Sequence, residues 1–309
     1  MFTKSARFCG LAVLGLVSVS LLAGCRRAPQ GVRIDPALAS MVPSDTVLLM
    51  GVKVESLRNT ALYKNLLASS ASLRINEFAE RTGFNPSTDL WELLVAANRT
   101  DAVVMARGKF SPQGLEPKPA VPGVQRMSYK GYTLLGDEKS AVLFVNATTA
   151  IAGSTPVLHS IVDRRASFGE IPAELNKRIQ LLPPSSQIWA VAVGGVPVEF
   201  IPKSGNLSNL QRALAGMEAA TLSIDLQSGL SLAAEADYRD EQTAKKTGDA
   251  LKALLGIARL TTPDRERDLL QAMDSISVAQ VGPAIKFNAQ MPQDLVDKLT
   301  VYARKLQER

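Results

Sequence analysis

An apolar run that begins near Phe8 and closes on Leu22-Ala23-Gly24-Cys25 constrains this chain more than any other stretch. Lys4 and Arg7 precede it, and Leu11 to Leu22 form its body, diluted by glycine and serine. A basic head, a short apolar body and a small-residue exit are the physical parts of a cleaved export signal. The run spans about 17 residues, the lower limit for a helix that stays across a bilayer core. The chain beyond this run is therefore expected to fold and act outside the cytoplasm.

The four residues Leu22, Ala23, Gly24 and Cys25 resemble the lipobox of bacterial lipoprotein precursors, a resemblance that covers Met1–Cys25 only. It implies a diacylglycerol joined by a thioether to the Cys25 sulfur, cleavage before Cys25, and acylation of the new amine. Each buried methylene contributes about 0.8 kcal/mol, and two chains suffice for stable anchoring. Arg26 and Arg27 agree with cleavage, because an uncleaved anchor would carry positive charge on both flanks and a weak orientation signal. Arg26 rather than Asp follows the cysteine, which in enterobacterial members of the class favours the outer membrane. The implied location is the cell envelope, lipid-anchored and facing the periplasm or the exterior. The mature domain resembles no characterised family.

Loss of the first 24 residues leaves 285 of the 309, enough for one large or two medium domains with real cores. Lys4 and Arg7 leave with the signal, so the net charge of +6 falls to +4, and Arg26, Arg27 and Arg33 sit in the stretch expected to be a tether. A nearly neutral body gives no footprint for nucleic acid. Cys9 departs and Cys25 carries lipid, so the body holds no thiol for a disulfide, metal or nucleophile. A single histidine, His159, excludes a multi-histidine metal site, and no phosphate-cradling glycine motif occurs. The expectation is no cofactor and no metal.

Residues 25–40, with Pro29, Gly31 and Pro36, read as the lipidated cysteine and its tether. Strands are expected over 46–54, 90–97, 102–110, 129–135, 142–145, 149–152 and 187–193. Helices are expected from Asn59 to Arg81, Pro156 to Arg164, Pro172 to Leu182 and Asn206 to Met217. The proline-rich segment 111–123 reads as a loop. Alternation over Leu222–Leu226 and Leu230–Tyr238 predicts an antiparallel hairpin around Gln227-Ser228-Gly229. The helix after it is expected to turn Ala244, Ala250, Leu251, Leu254, Leu255 and Ala258 to the sheet. A helix over 263–273, a second hairpin (276–281 and 284–289) and an amphipathic helix from Pro292 to Leu306 close the chain. Pairs of neighbouring strands with helices between them predict an α+β fold with antiparallel sheets and amphipathic helices packed on them. Pro43-Ser44 and Pro184-Ser185 each introduce an apolar strand, with Val52 and Val193 at the same offset. Two modules, 41–170 and 171–309, related by internal duplication, are the expectation.

Glu235 and Asp237 fall on one side of a strand, with Asp240 and Glu241 close behind, but their alternation with Ala234, Ala236 and Tyr238 marks a solvated polar face. His159 has Ser160 beside it and Asp163 one helical turn on, within pairing reach, without the strained serine elbow a hydrolase would use. Trp91 and Trp189 lie in expected strands and read as packing rather than carbohydrate platforms. The chain is thus expected to be a membrane-tethered, non-enzymatic binding or scaffolding protein with an envelope protein or polymer as partner. The alternatives are a carrier or sensor of an apolar ligand, and a hydrolase using carboxylates or Ser/Lys.

Overall fold

Strand β1 (Leu48–Val52) lies at the middle of a single antiparallel sheet, between β2 (Leu90–Ala97) and β8 (Ile188–Val193). The computed structural model describes residues 31–67, 85–110, 124–164, 170–197 and 216–307. Among these, twelve strands pair in the order β11-β12-β10-β9-β8-β1-β2-β3-β7-β6-β5-β4. The remaining strands are β3 (Ala102–Gly108), β4 (Gln125–Tyr129), β5 (Tyr132–Gly136), β6 (Ser140–Asn146), β7 (Thr149–Ser154), β9 (Met217–Asp225), β10 (Gly229–Tyr238), β11 (Ile276–Val281) and β12 (Ala284–Pro292). The fold is α+β with one large antiparallel sheet, and strands from both expected modules share it.

The two sides of the β1–β8 junction follow one plan. Outward from the junction the order is β1-β2-β3-β7-β6 on one side and β8-β9-β10-β12-β11 on the other; the hairpin β4–β5 extends the first. Met50 sits opposite Ala190, and the pairs on either side of it, Leu48 with Ala192 and Val52 with Ile188, are reciprocal. A bulge falls at the same place in both hairpins, between the pair Leu90–Gly108 and Glu92 in one, and between the pair Met217–Tyr238 and Ala219 in the other. The turns entering β1 and β8 also match. Thr46 N and Oγ1 both donate to the Pro43 carbonyl, at 3.1 and 2.6 Å, and Ser186 N and Oγ to that of Pro183, at 3.1 and 2.8 Å. The structural match is therefore Pro43 with Pro183, one residue away from the Pro43–Pro184 match expected from the sequence. A one-residue slip exchanges the faces of a strand.

One face of the sheet carries the main core. Leu49, Leu94, Met105, Ile151, Leu143, Leu134, Trp189 and Val191 are buried there, packed with Leu38, Leu158, Ile161, Leu175 and Ile179. These last come from helices α1 (Pro36–Ala39), α5 (Thr155–Arg164) and α6 (Ala173–Ile179). Short helices α2 (Val54–Leu57) and α3 (Ala61–Leu67) follow β1, and α4 (Pro86–Asp89) precedes β2. On the opposite face, α7 (Glu241–Thr261) packs Ala244 beside Tyr238 and Ile285. Helices α8 (Arg267–Asp274) and α9 (Gln293–Gln307) flank the last hairpin.

Three expectations need correction. The tether does not reach residue 40: Val32 and Leu38 are core residues, and Pro36 is the first residue of α1, capped by the Asp35 side chain, which accepts from Ala37 N at 2.7 Å. Proline suits a first helical turn as well as a linker, and composition does not separate the two uses. The strand expected over 129–135 is broken at Lys130-Gly131, whose φ values of 47° and 84° make the turn between β4 and β5. Gly216 is a turn and Met217 starts β9 rather than ending a helix; residues 206–215 of that expected helix, the segment 111–123 and the second half of the helix from Asn59 lie outside the described residues.

Gly51 stands opposite Trp189, and a Cβ there would lie 2.3 Å from the indole. Gly51→Val is expected to destabilise the fold by about 1–3 kcal/mol through overpacking, read as a lower urea midpoint with unchanged m-value.

Candidate functional site

The sequence-derived candidates do not converge. Glu235 and Asp237 do share the polar side of β10, but each carboxylate has its own cation, Lys286 at 3.7 Å and Arg178 at 2.6 Å. Asp240 is the N-cap of α7, accepting from Thr243 N and Oγ1 at 2.8 and 3.0 Å, bonds that hold its carboxyl below the usual range. His159 stacks on the Tyr129 ring, 3.7 Å between centroids. Asp163 does not take up the anticipated pairing with His159; it accepts from Tyr129 Oη at 3.0 Å and meets Lys130 Nζ at 2.7 Å. Those bonds, Lys130 first, lower the Asp163 carboxyl, and the bond to Asp163 raises the Tyr129 phenol. Ser160 Oγ accepts from Arg164. The cluster clasps the β4–β5 turn to α5. Trp189 is core, and half-buried Trp91 lies under the Arg107 guanidinium, 5.9 Å from its ring. Leu22, Ala23, Gly24 and Cys25 lie outside the described residues. Among the described residues there is no group of three or more metal-ligating side chains, and no helix is long and apolar enough to cross a membrane.

A charged cluster that sequence reasoning missed lies where the chain enters the body. Asp35 bonds Arg107 Nε at 2.9 Å, and Arg107 Nη1 also donates to Thr148 O, Thr148 Oγ1 and Thr149 Oγ1. Beside them Glu92 projects from β2 toward Asp35 and Lys53, its Oε1 buried and unpartnered. Burial, then the charge of Asp35, raises its carboxyl above the usual range; the Asp35 backbone N–H, Lys53 and Arg107 oppose this. Burial lowers the Lys53 amine, whose Nζ donates to Pro184 O at 3.1 Å. No spacing rule links positions 35, 53, 92 and 107, so only the fold reveals the group. It straps residues 31–42 to the strands.

Two apolar features remain on the opposite face. A cavity of about 300 Å³ lies between the sheet and α7, lined by Met217, Leu222, Tyr238, Leu251, Phe287 and their alanine neighbours. The second is on α7 itself. Ala244, Gly248, Leu251, Leu255 and Ala258 turn inward, whereas Ala250 and Leu254, expected to face the sheet, are exposed. Leu254, Ile257 and Leu260 are 63%, 58% and 87% exposed and form a second stripe at three-residue spacing, away from the sheet. Exposed apolar residues grouped in this way mark an interaction surface more often than scattered ones do.

No family model and no curated protein matches this chain. Among solved structures it is similar to TP0453 of Treponema: crystal form III has 10% identity and a TM-score of 0.49, covering 87% of this chain and 99% of that one. Crystal form I has 11% identity and a TM-score of 0.47, covering 87% and 98%. This likeness says nothing of what the present chain binds.

The charge on Glu92 sets a pH dependence. Its folded value lies above its unfolded one, so the native state holds the proton more tightly. Its contribution is most favourable below the ordinary glutamate range and is lost as pH rises through the raised folded value. Glu92→Gln is therefore expected to raise Tm relative to the native chain at pH 7, and to leave it unchanged near pH 3.5. Calorimetry at the two pH values checks the difference.

Proposed function

We propose that this chain is a lipid-anchored protein of the bacterial cell envelope whose body binds a protein partner and performs no chemistry of its own. The observation that carries the binding role is the outer stripe of α7, Leu254, Ile257 and Leu260, which no part of the described fold covers. In this reading the Cys25 acyl chains hold the protein in the membrane, the outer one favoured by Arg26. The hydrolase alternative lacks an assembled site among the described residues, because Glu235, Asp237 and His159 each have separate neighbours.

The body is also proposed to be an internal duplication, with 41–170 and 171–309 as its copies. The shared strand order, the bulges at matching positions and the paired proline turns support this.

The anchor is tested by labelling cells with radioactive palmitate: the native chain is expected to take up label and Cys25→Ser none, and equal labelling would refute it. The binding role is tested by crosslinking in intact cells. Leu254→Glu with Leu260→Glu is expected to cut captured partners about tenfold or more without changing the circular dichroism; unchanged capture would refute it.

A second reading, a carrier of apolar ligands, is favoured by the cavity beneath α7. At about 300 Å³ it stands at the lower end of ligand pockets. Native mass spectrometry of the purified protein is then expected to show a retained apolar mass, lost on Ala234→Phe; a bare protein mass would exclude this reading.

A further inference from the structure

We propose that β11 is a self-pairing edge: a second copy of this chain adds its own β11 antiparallel to it, across a twofold axis at Val278. This goes beyond the reading of the α7 stripe as a partner surface and stands on the sheet edge alone.

The argument begins with backbone groups. Among the described residues β11 ends the sheet, paired only to β12, with Ile276 opposite Ala289 and Val281 opposite Ala284. Gln290 N donates to Ser275 O across the same register, so Ser275 and Gln290 form a hydrogen-bonded pair. Hydrogen-bonded and open pairs alternate along an antiparallel ladder. Ser277, Ala279 and Val281 therefore bond inward to β12, and Ile276, Val278 and Gln280 direct their N–H and C=O groups outward. The neighbouring ladder gives the same phase: Tyr238 N donates to Pro283 O, so alternate residues of β12 from Ile285 on bond to β10 and those between them to β11. No backbone partner within the described residues meets the three outward positions of β11.

Exposed edges are normally guarded by a charge, a proline or a bulge. β11 reads Ile-Ser-Val-Ala-Gln-Val, with none of these, and pairs with β12 without a register shift. The other edge, β4, carries Arg126. An unguarded neutral edge fits an added strand rather than solvent.

The register selects a second copy as that strand. With Val278 opposite its own symmetry mate, Ile276 faces Gln280 and Gln280 faces Ile276, so every outward N–H and C=O of both strands finds a partner. Any shift along the strand leaves some unpaired. The chain already makes this kind of junction internally, where β1 and β8 meet antiparallel about Met50 and Ala190. The axis lies perpendicular to the sheet, so both α7 helices fall on one face beside it. Each α7 packs on β11, and Gln280 Nε2 donates to Glu241 O at its start. The two α7 helices then run antiparallel, each starting beside Gln280 and ending beside Asp274, so the added strand extends the sheet and leaves their outer stripes apart.

Ser277 and Ala279 are exposed and fall opposite each other across the proposed axis as an open pair, with Cα atoms about 4.5 Å apart, within disulfide reach. The full-length chain in its own membranes, carrying Ser277→Cys and Ala279→Cys, is oxidised mildly beside the parent chain and beside a Ser128→Cys control at the β4 edge, which keeps Arg126. A reducible species of twice the mass is expected from the β11 pair and not from the parent or the control. Adding Val278→Pro removes one outward N–H and none that bonds β12, and is expected to cut that species about tenfold. Gln280→Pro serves the same purpose should Val278→Pro fail to fold by circular dichroism. Overturning results are a β11 yield no greater than at β4, or a yield unmoved by proline in a folded chain. Capture of other envelope proteins by the native chain without self-crosslinking overturns this inference and leaves the broader binding role standing; loss of both overturns the two together.

Discussion

Everything in this architecture depends on how β1 meets β8. Those two short strands carry the only ladder that joins the halves of the sheet among the described residues. Backbone bonds alone would make a thin seam, since each contributes only about 1 kcal/mol net. Packing strengthens it: Trp189 lies fully buried over Gly51, while Leu49 and Val191 fill the reciprocal position. The junction is symmetric in backbone and asymmetric in volume. One large side chain occupies space that two would otherwise share, and it requires a glycine across from it. The indole thereby ties the second half of the chain into a core built mainly from the first.

The two faces of the sheet then diverge. On the core face the first half offers Leu94, Met105, Ile151 and Leu143, whereas the second half offers Thr221, Ser223, Glu235, Lys286 and Asn288. The same side of the sheet is thus apolar and buried in the first half and mainly polar in the second. The opposite face stays apolar on both sides, from Phe287 and Leu222 through Met50 to Val95 and Val104. A scaffold that buries different faces in its halves needs different covers, and α7 is the cover for the second. Its length exceeds what that task requires: Ala244 and Gly248 are buried, and burial declines toward the later turns.

Much of this is legible in the residues because it is local and periodic. The hairpins β9–β10 and β11–β12 come from strict alternation around Gly229 and Gly282-Pro283, and α5, α7 and α9 from apolar spacing with acidic or proline starts. Local punctuation misleads where one residue type has two uses. Pro36 marks a helix start as readily as a linker, and Lys130-Gly131 forms a turn only because a non-glycine residue takes a left-handed φ. Long-range facts leave no trace. Asp35, Lys53, Glu92 and Arg107 meet only because β1, β2 and β3 are neighbours and the entering strap crosses them. The strand order itself, with β7 returning beside β3 and β12 beside β10, cannot be read from spacing.

The departure on α7 is more informative than the expectations that hold. Spacing assigns Ala250 and Leu254 to the sheet because apolar residues of an amphipathic helix are taken to form one stripe. Here Ala244, Ala250, Leu251, Leu254, Leu255, Ile257, Ala258 and Leu260 cover an arc wider than one packing face. A single sheet cannot bury such an arc, because a helix lying on a flat surface presents to it little more than the apolar stripe of about 100° typical of a surface helix. Excess width is therefore a signal in its own right: it marks apolar surface beyond what one sheet can bury. That surplus is legible in the sequence, and the fold is needed only to say which residues it concerns.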